Sequence, residues 1–219
     1  MMGSSPFAGK SVIIMDFDGT IADTDAVHLR AFQLALKGLC ASFDYSKYAG
    51  WSTEDVIRDV LGVAHGQADD TEVRRLVRLK QDHALTALRK GPIFIAGAES
   101  FILRAHSRGY RLALASGASR ERLGAAMSHP SLRGKFEAVV TAEDVANGKP
   151  APLVYREVLL RMGIAADKAI AIEDSYSGVM SAVRADLDVL CINEHCNLGD
   201  NCRTAEVMIM NYADAEDGL

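Results

Sequence analysis

The stretch Val12-Ile13-Ile14-Met15-Asp16-Phe17-Asp18-Gly19 limits what this chain can fold into more than any other. Its four leading apolar residues read as a short buried strand, and that strand runs out into two carboxylates separated by one residue. Because side chains alternate along a strand, Asp16 and Asp18 leave its end on the same side, and Gly19 permits a sharp exit. Two anions at one mouth repel each other, so the stretch predicts a divalent metal or a raised pKa on one acid. Asp and Gly are also ordinary turn formers, and taken alone the stretch is readable as a polar turn. The rest of the chain has to decide.

Beyond the second carboxylate the chain changes character at once. From Asp25 to Cys40 the apolar residues Val27, Leu29, Phe32, Leu36 and Leu39 recur at three- and four-residue steps, which is helical periodicity. Gly50-Trp51-Ser52-Thr53 leads into a shorter helical pattern through Val56, Ile57, Val60 and Leu61, entered by a Ser or Thr cap. A third helix runs from Asp70 to Lys90 and stops at Gly91-Pro92. Residues 24–91 thus read as all-helical, an inserted lid or cap. After Pro92 the rhythm is strand and helix in alternation. Strands are expected at Tyr110 to Ala115, Phe136 to Thr141, Ala169 to Ile172 and Asp188 to Ile192. Helices are expected at Glu99 to Ser107, after a Ser119 cap, between Pro152 and Gly163, and at Gly178 to Ala185. Such alternation implies an α/β fold, a parallel sheet covered on both faces, with any site at the carboxyl ends of its strands. The expected organisation is a catalytic core of residues 1–23 and 92–219 and a helical cap of residues 24–91.

Each strand end supplies chemistry. Ser116-Gly117 offers a hydroxyl and a backbone N–H at a helix start, a suitable place for an anion. Asn147-Gly148-Lys149-Pro150 brings an ammonium that balances carboxylates or binds phosphate. Glu173-Asp174-Ser175 is a second acidic pair. One acid pair, a hydroxyl, a lysine and another acid pair in that order are hard to reconcile with unrelated turns.

Composition narrows the partners. The net charge of −5 gives no basic field for a nucleic-acid backbone, and Arg74, Arg75 and Arg78 read as the solvated face of a helix. No apolar run approaches the roughly 20 residues of a membrane span, and Met1 to Lys10 carries no long apolar stretch. A cytoplasmic protein acting on a small molecule is expected, with no nucleic acid and no membrane; oligomeric state is not legible. The cysteines Cys40, Cys191, Cys196 and Cys202 form no Cys-x-x-Cys pair, and His195, Cys196 and Cys202 are at best a weak metal alternative.

Asp16-Phe17-Asp18-Gly19-Thr20, Ser116, Gly148-Lys149-Pro150-Ala151-Pro152 and Glu173-Asp174-Ser175 with Gly178-Val179 resemble the four ordered motifs of the haloacid dehalogenase-like hydrolase superfamily. The helical insert resembles the cap of the subfamily containing β-phosphoglucomutase and the phosphoglycolate and sugar-phosphate phosphatases. The resemblance implies a Rossmann-like core beneath a mobile cap. It implies Asp16 as nucleophile, forming an aspartyl-phosphate, and Asp18 as the acid and base. Mg²⁺ would be held by Asp16, the backbone carbonyl of Asp18 and Asp174, with Glu173 as a fourth ligand or a partner of one. Ser116, Gly117 and Lys149 would hold the phosphoryl oxygens.

An acid at position 18 favours phosphotransfer, since the family's dehalogenases and phosphonatases carry none there. Thr24, His28 and Gly50-Trp51-Ser52-Thr53-Glu54-Asp55 resemble the hinge and cap loop of β-phosphoglucomutase, but its two distal-phosphate residues fall on Ala49 and Thr53. His28 either faces the site or packs the hinge, and Lys80 either supplies a cation to the substrate or is solvated; Trp51 is a third candidate for specificity. At Asp186, relatives usually carry glycine. The resulting expectation is a Mg²⁺-dependent phosphatase acting on a small phosphate monoester, a sugar or polyol phosphate. β-Phosphoglucomutase-like transfer and a non-catalytic phosphate-binding protein are the alternatives.

Overall fold

A computed structural model of the chain describes residues 5–40, 43–48, 51–65, 69–192 and 207–219. Six strands, β1 (Val12–Met15), β2 (Arg111–Ala115), β3 (Phe136–Val140), β4 (Ala169–Glu173), β5 (Asp188–Cys191) and β6 (Val207–Ile209), form one sheet. Their order is β3-β2-β1-β4-β5-β6, and every neighbouring pair is parallel. The helices are α1 (Thr24–Ala35), α2 (Thr53–His65), α3 (Asp70–Lys90), α4 (Ala98–Ser107), α5 (Arg120–Ala126), α6 (Leu153–Met162), α7 (Tyr176–Val183) and α8 (Tyr212–Gly218). This is the α/β parallel sheet that the alternating pattern implied and the Rossmann-like core that the resemblance implied.

The chain divides into two compact units, Met1–Asp23 with Pro92–Leu219, and Thr24–Gly91. In the first, β1 is apolar throughout because both its faces are covered. Val12 and Ile14 join Ala113, Ala115, Ala169 and Ala171 in one buried cluster with Val154, Tyr155 and Val158 of α6 and Val179 and Val183 of α7. Ile13 and Met15 leave the other face and are equally buried. Chain order reverses beside β1: β2 and β3 build outward on one side, and β4 returns to the other. Such a switch point opens a crevice at the carboxyl ends of the strands.

In the second unit, α1, α2 and α3 enclose their own core of Phe32, Leu36, Val56, Ile57, Val60, Leu61, Val73 and Leu76. Its described residues include no strand. Ser52 caps α2 by accepting from the Asp55 N–H at 3.1 Å. Arg74, Arg75 and Arg78 lie exposed along α3.

Two differences from the sequence pattern have physical causes. Helix α1 stops at Ala35 instead of continuing to Cys40, because Gly38 takes a left-handed φ of 85° and Leu39 bonds back to Leu36 in a turn. Strand β6 and helix α8 have no counterpart in the pattern: three strand residues, and seven helical residues of which three are acidic, are too short for periodicity to register. His195, Cys196 and Cys202 lie outside the described residues, as does Ala49. Among those described, no helix is long and apolar enough to cross a membrane.

Candidate active site

Register assembles the site. Met15 pairs with Ile172 of β4 and with Leu114 of β2, so the next residue on each strand, Asp16, Glu173 and Ala115, falls at one level. The Asp16 N–H donates to the Ile172 carbonyl at 3.0 Å, extending the ladder to the last residue before the loop. Carboxylate oxygens of Asp16, Glu173 and Asp174 all lie within 4.8 Å of one another. Lys149, from the loop before α6, donates to Asp16 Oδ1 and to Glu173 Oε1, both at 2.5 Å. Its peptide bond to Pro150 is cis.

Glycine permits this crowding at two positions. Gly19 has φ 79°, and a Cβ there would lie 2.2 Å from Asp174 Oδ2. At Gly178, near the start of α7, a Cβ would come within 2.0 Å of the Glu173 carboxylate. That carboxylate is 0% exposed, and it also accepts from the Tyr155 hydroxyl at 2.7 Å and the Asp174 N–H at 3.2 Å. Thr20 donates its hydroxyl to Asp174 Oδ1 at 3.1 Å. Asp18 does not join the cluster through its side chain; its Oδ1 accepts from the Arg122 guanidinium on α5 at 2.9 Å.

Burial pushes the Asp16 carboxyl well above the usual aspartate range; the Lys149 charge opposes the rise, and Glu173 adds to it. Burial, reinforced by Glu173, likewise pushes Asp174 up to about 6. Burial alone would lower Lys149, yet the charges of Asp16 and Glu173 outweigh it and hold the ammonium above the ordinary lysine value. Three acids around one ammonium leave an excess of negative charge in a dry place, where a divalent cation is the natural complement. The donors are hard oxygens, which suit Mg²⁺.

Over residues 13–192 the chain matches the model of the haloacid dehalogenase-like hydrolases. It belongs to that family. Protein CbbY of Rhodobacter capsulatus is 30% identical over 93% of this chain and 94% of its own. The phosphorylated carbohydrates phosphatase of Thermotoga maritima is 26% identical over 80% of this chain and 82% of its own. The crystal structure of a mutant CbbY from Rhodobacter sphaeroides, in complex with xylulose 1,5-bisphosphate, superposes with a TM-score of 0.70. It covers 91% of this chain and 93% of that one at 24% identity. Membership in this hydrolase family and the phosphatase relatives make the chain an enzyme of the phosphatase type.

In this haloacid dehalogenase-like hydrolase the other residues singled out from sequence are divided between the two units. Ser116 is buried at the end of β2, its Oγ accepting from the Ala118 N–H at 3.0 Å, and Gly117 is exposed. Ser119 caps α5 by accepting from the Arg122 N–H at 3.3 Å. In the helical unit, Trp51 is 53% exposed. Lys80 is not solvated: it is only 5% exposed, with Nζ 2.9 Å from His28 Nδ1, 3.4 Å from Thr53 Oγ1 and 4.8 Å from the centre of the Phe32 ring. The His28 ring lies 6.5 Å from that of Tyr45.

Sequence reasoning misses Thr20, Arg122 and Tyr155. Thr20 stands inside the first motif, a position from which a carboxylate partner is conceivable. Tyr155 carries a fainter signal, a single hydroxyl on the apolar face of the helix after Pro152. For Arg122 the cap at Ser119 places it in a first turn, but nothing local points it at Asp18.

Proposed function

We propose that the chain is a Mg²⁺-dependent phosphatase that hydrolyses a small sugar or polyol phosphate through an aspartyl-phosphate at Asp16. The observation that carries this reading is the convergence of Asp16, Glu173 and Asp174 within 4.8 Å beside Lys149. A simple phosphate binder has no use for a buried carboxylate aimed at the same place as the anion it binds. A nucleophile does.

In this reading Asp16 and Asp174, with the Asp18 carbonyl, would hold Mg²⁺, and Glu173 acts by fixing Lys149. Bound there, Mg²⁺ would offset the charge of the phosphoryl oxygens as the Asp16 carboxylate approaches them. An oxygen of Asp16 attacks phosphorus in line, and the bond from phosphorus to the ester oxygen breaks. Asp18 gives its proton to the departing oxygen, then takes one from the water that cleaves the aspartyl-phosphate. Lys149 and Ser116, with the Gly117 N–H, hold the phosphoryl oxygens. Arg122 orients Asp18 by its guanidinium contact. The unit Thr24–Gly91 serves as the cap, in which Trp51, His28 and Lys80 select the alcohol portion of the ester.

Sugar phosphates are favoured because a relative of this chain is named for phosphorylated carbohydrates, and the Rhodobacter sphaeroides protein was crystallised with a ketose bisphosphate. The test is phosphate release from p-nitrophenyl phosphate and from a panel of phosphorylated sugars, with and without Mg²⁺, for the native chain and Asp16→Asn. Mg²⁺-dependent release lost in the variant is the expected result. Equal release from both proteins would end the reading.

A further inference from the structure

The C-terminal helix reaches the acidic cluster through one side chain. Tyr212, the first residue of α8, is 2% exposed and donates its hydroxyl to the backbone carbonyl of Thr20 at 3.0 Å. Thr20 is the residue whose own hydroxyl donates to Asp174 Oδ1. Two hydrogen bonds in series thus run from α8 to a carboxylate of the cluster, through a fully buried threonine in the loop that leaves β1.

The contact is built from several sides. Asn211 caps α8 by accepting from the Asp214 N–H at 2.9 Å, which fixes the direction in which Tyr212 leaves the helix. Its ring packs on Phe101 of α4 at 5.2 Å between centroids. Gly97, at φ 85°, lets the tyrosine come that close, since a Cβ there would lie 2.8 Å from Tyr212 Cβ. Farther along α8, Glu216 accepts from Ser100 at 2.5 Å and Arg104 at 3.0 Å, both on α4. Burial, then the charges of Asp16, Asp174 and Glu173, raises the Tyr212 pKa well above the usual tyrosine value, so its hydroxyl stays a donor. The stretch that matches the family model ends at residue 192, so Tyr212 lies beyond it.

We propose that Tyr212 is a positioning residue for the metal site. By holding the Thr20 carbonyl it fixes the loop, and through the Thr20 hydroxyl it aims the Asp174 carboxylate at the cation. The inference rests on the Mg²⁺ reading given above. A hydrogen-bond partner that orients a ligand is worth about ten- to a hundredfold in metal affinity. Tyr212 acts one bond further out, and a loss of about three- to tenfold is expected.

Tyr212→Phe deletes only the hydroxyl. Mg²⁺ affinity is measured by calorimetry for the native chain, Tyr212→Phe, Thr20→Val and the double variant, and thermal stability is measured without metal. The proposal expects weaker Mg²⁺ binding in Tyr212→Phe and no further weakening when that change is added to Thr20→Val. A lower melting temperature with unchanged Mg²⁺ affinity would mean plain packing and overturn the proposal. So would two losses that simply add. If the native chain itself binds no Mg²⁺, the metal reading falls and takes this inference with it; native binding matched by Tyr212→Phe overturns this inference alone.

Discussion

Two lysines with little exposure, one in each compact unit, are stabilised in different ways. In the sheet unit Lys149 meets two carboxylates, Asp16 and Glu173, at hydrogen-bond distance. In the helical unit the Lys80 ammonium stands beside an imidazole nitrogen, a hydroxyl and an aromatic face. Lys149 is locked by charge into a lattice of acids that a neutral substitute would collapse. Lys80 is held by groups that orient an ammonium, and in the proposed reading that ammonium helps select the alcohol portion of the substrate. In the proposed reading the first lysine belongs to the machinery of bond breaking, and the second to the choice of what is bound; the comparison teaches that the two are held by different chemistry.

The sharpest way to break this contrast is Lys149→Ala. Removing one partner of a buried ion pair costs about 3–5 kcal/mol, and losing a donor aimed at transferring oxygens costs about 10²–10³-fold in kcat. Both losses are expected together, by denaturant unfolding and by steady-state phosphate release. Lys80→Ala should do something different: a KM for the best sugar phosphate raised by about tenfold, with a smaller change in kcat. A fall in kcat with KM unmoved would erase the distinction between the two lysines.

Acidity tests the sheet unit by another route. Asp174 rises from 3.8 to about 6 on folding, so the folded chain without metal binds a proton more tightly than the unfolded one. The stabilisation is complete below 3.8 and is lost as pH climbs through about 6. Metal-free stability should therefore decline between about pH 4 and 6 and level off above, and added Mg²⁺ should restore more at about pH 7.5 than at about pH 5. Stability that climbs across that window would contradict the raised pKa of Asp174. The smallest effect belongs to Asp186, which adopts φ 62°. Asp186→Gly relieves a left-handed conformation and should gain about 0.5 kcal/mol in unfolding free energy without touching activity.

Much of the sheet unit is legible in the sequence because its chemistry sits where strands end. Asp16, Ser116 and Glu173 each stand at the end of an apolar run that announces itself, and parallel pairing brings such ends to one level. Lys149 is readable from the proline beside it and from its order between acidic motifs. The supporting contacts are not readable. Thr20, Tyr155 and Arg122 act across the fold, on partners that no spacing in the chain relates to them. Lys80 hides for a different reason: a lysine on an amphipathic helix belongs at the surface by default, and only packing against α1 reveals it as buried. Helical spacing overruns the end of α1 because Leu36 and Leu39 preserve it, although Gly38 has already turned the chain.

The central claim is that a carboxylate oxygen of Asp16 forms the new bond to phosphorus. Acid-quenched turnover of a labelled sugar phosphate with Mg²⁺, with peptide mapping of the quenched protein, tests this directly. One phosphoryl group on the peptide carrying Asp16, lost in mild base and missing without Mg²⁺, is the predicted result. Full turnover with that peptide unlabelled, or with the label on another residue, would contradict it.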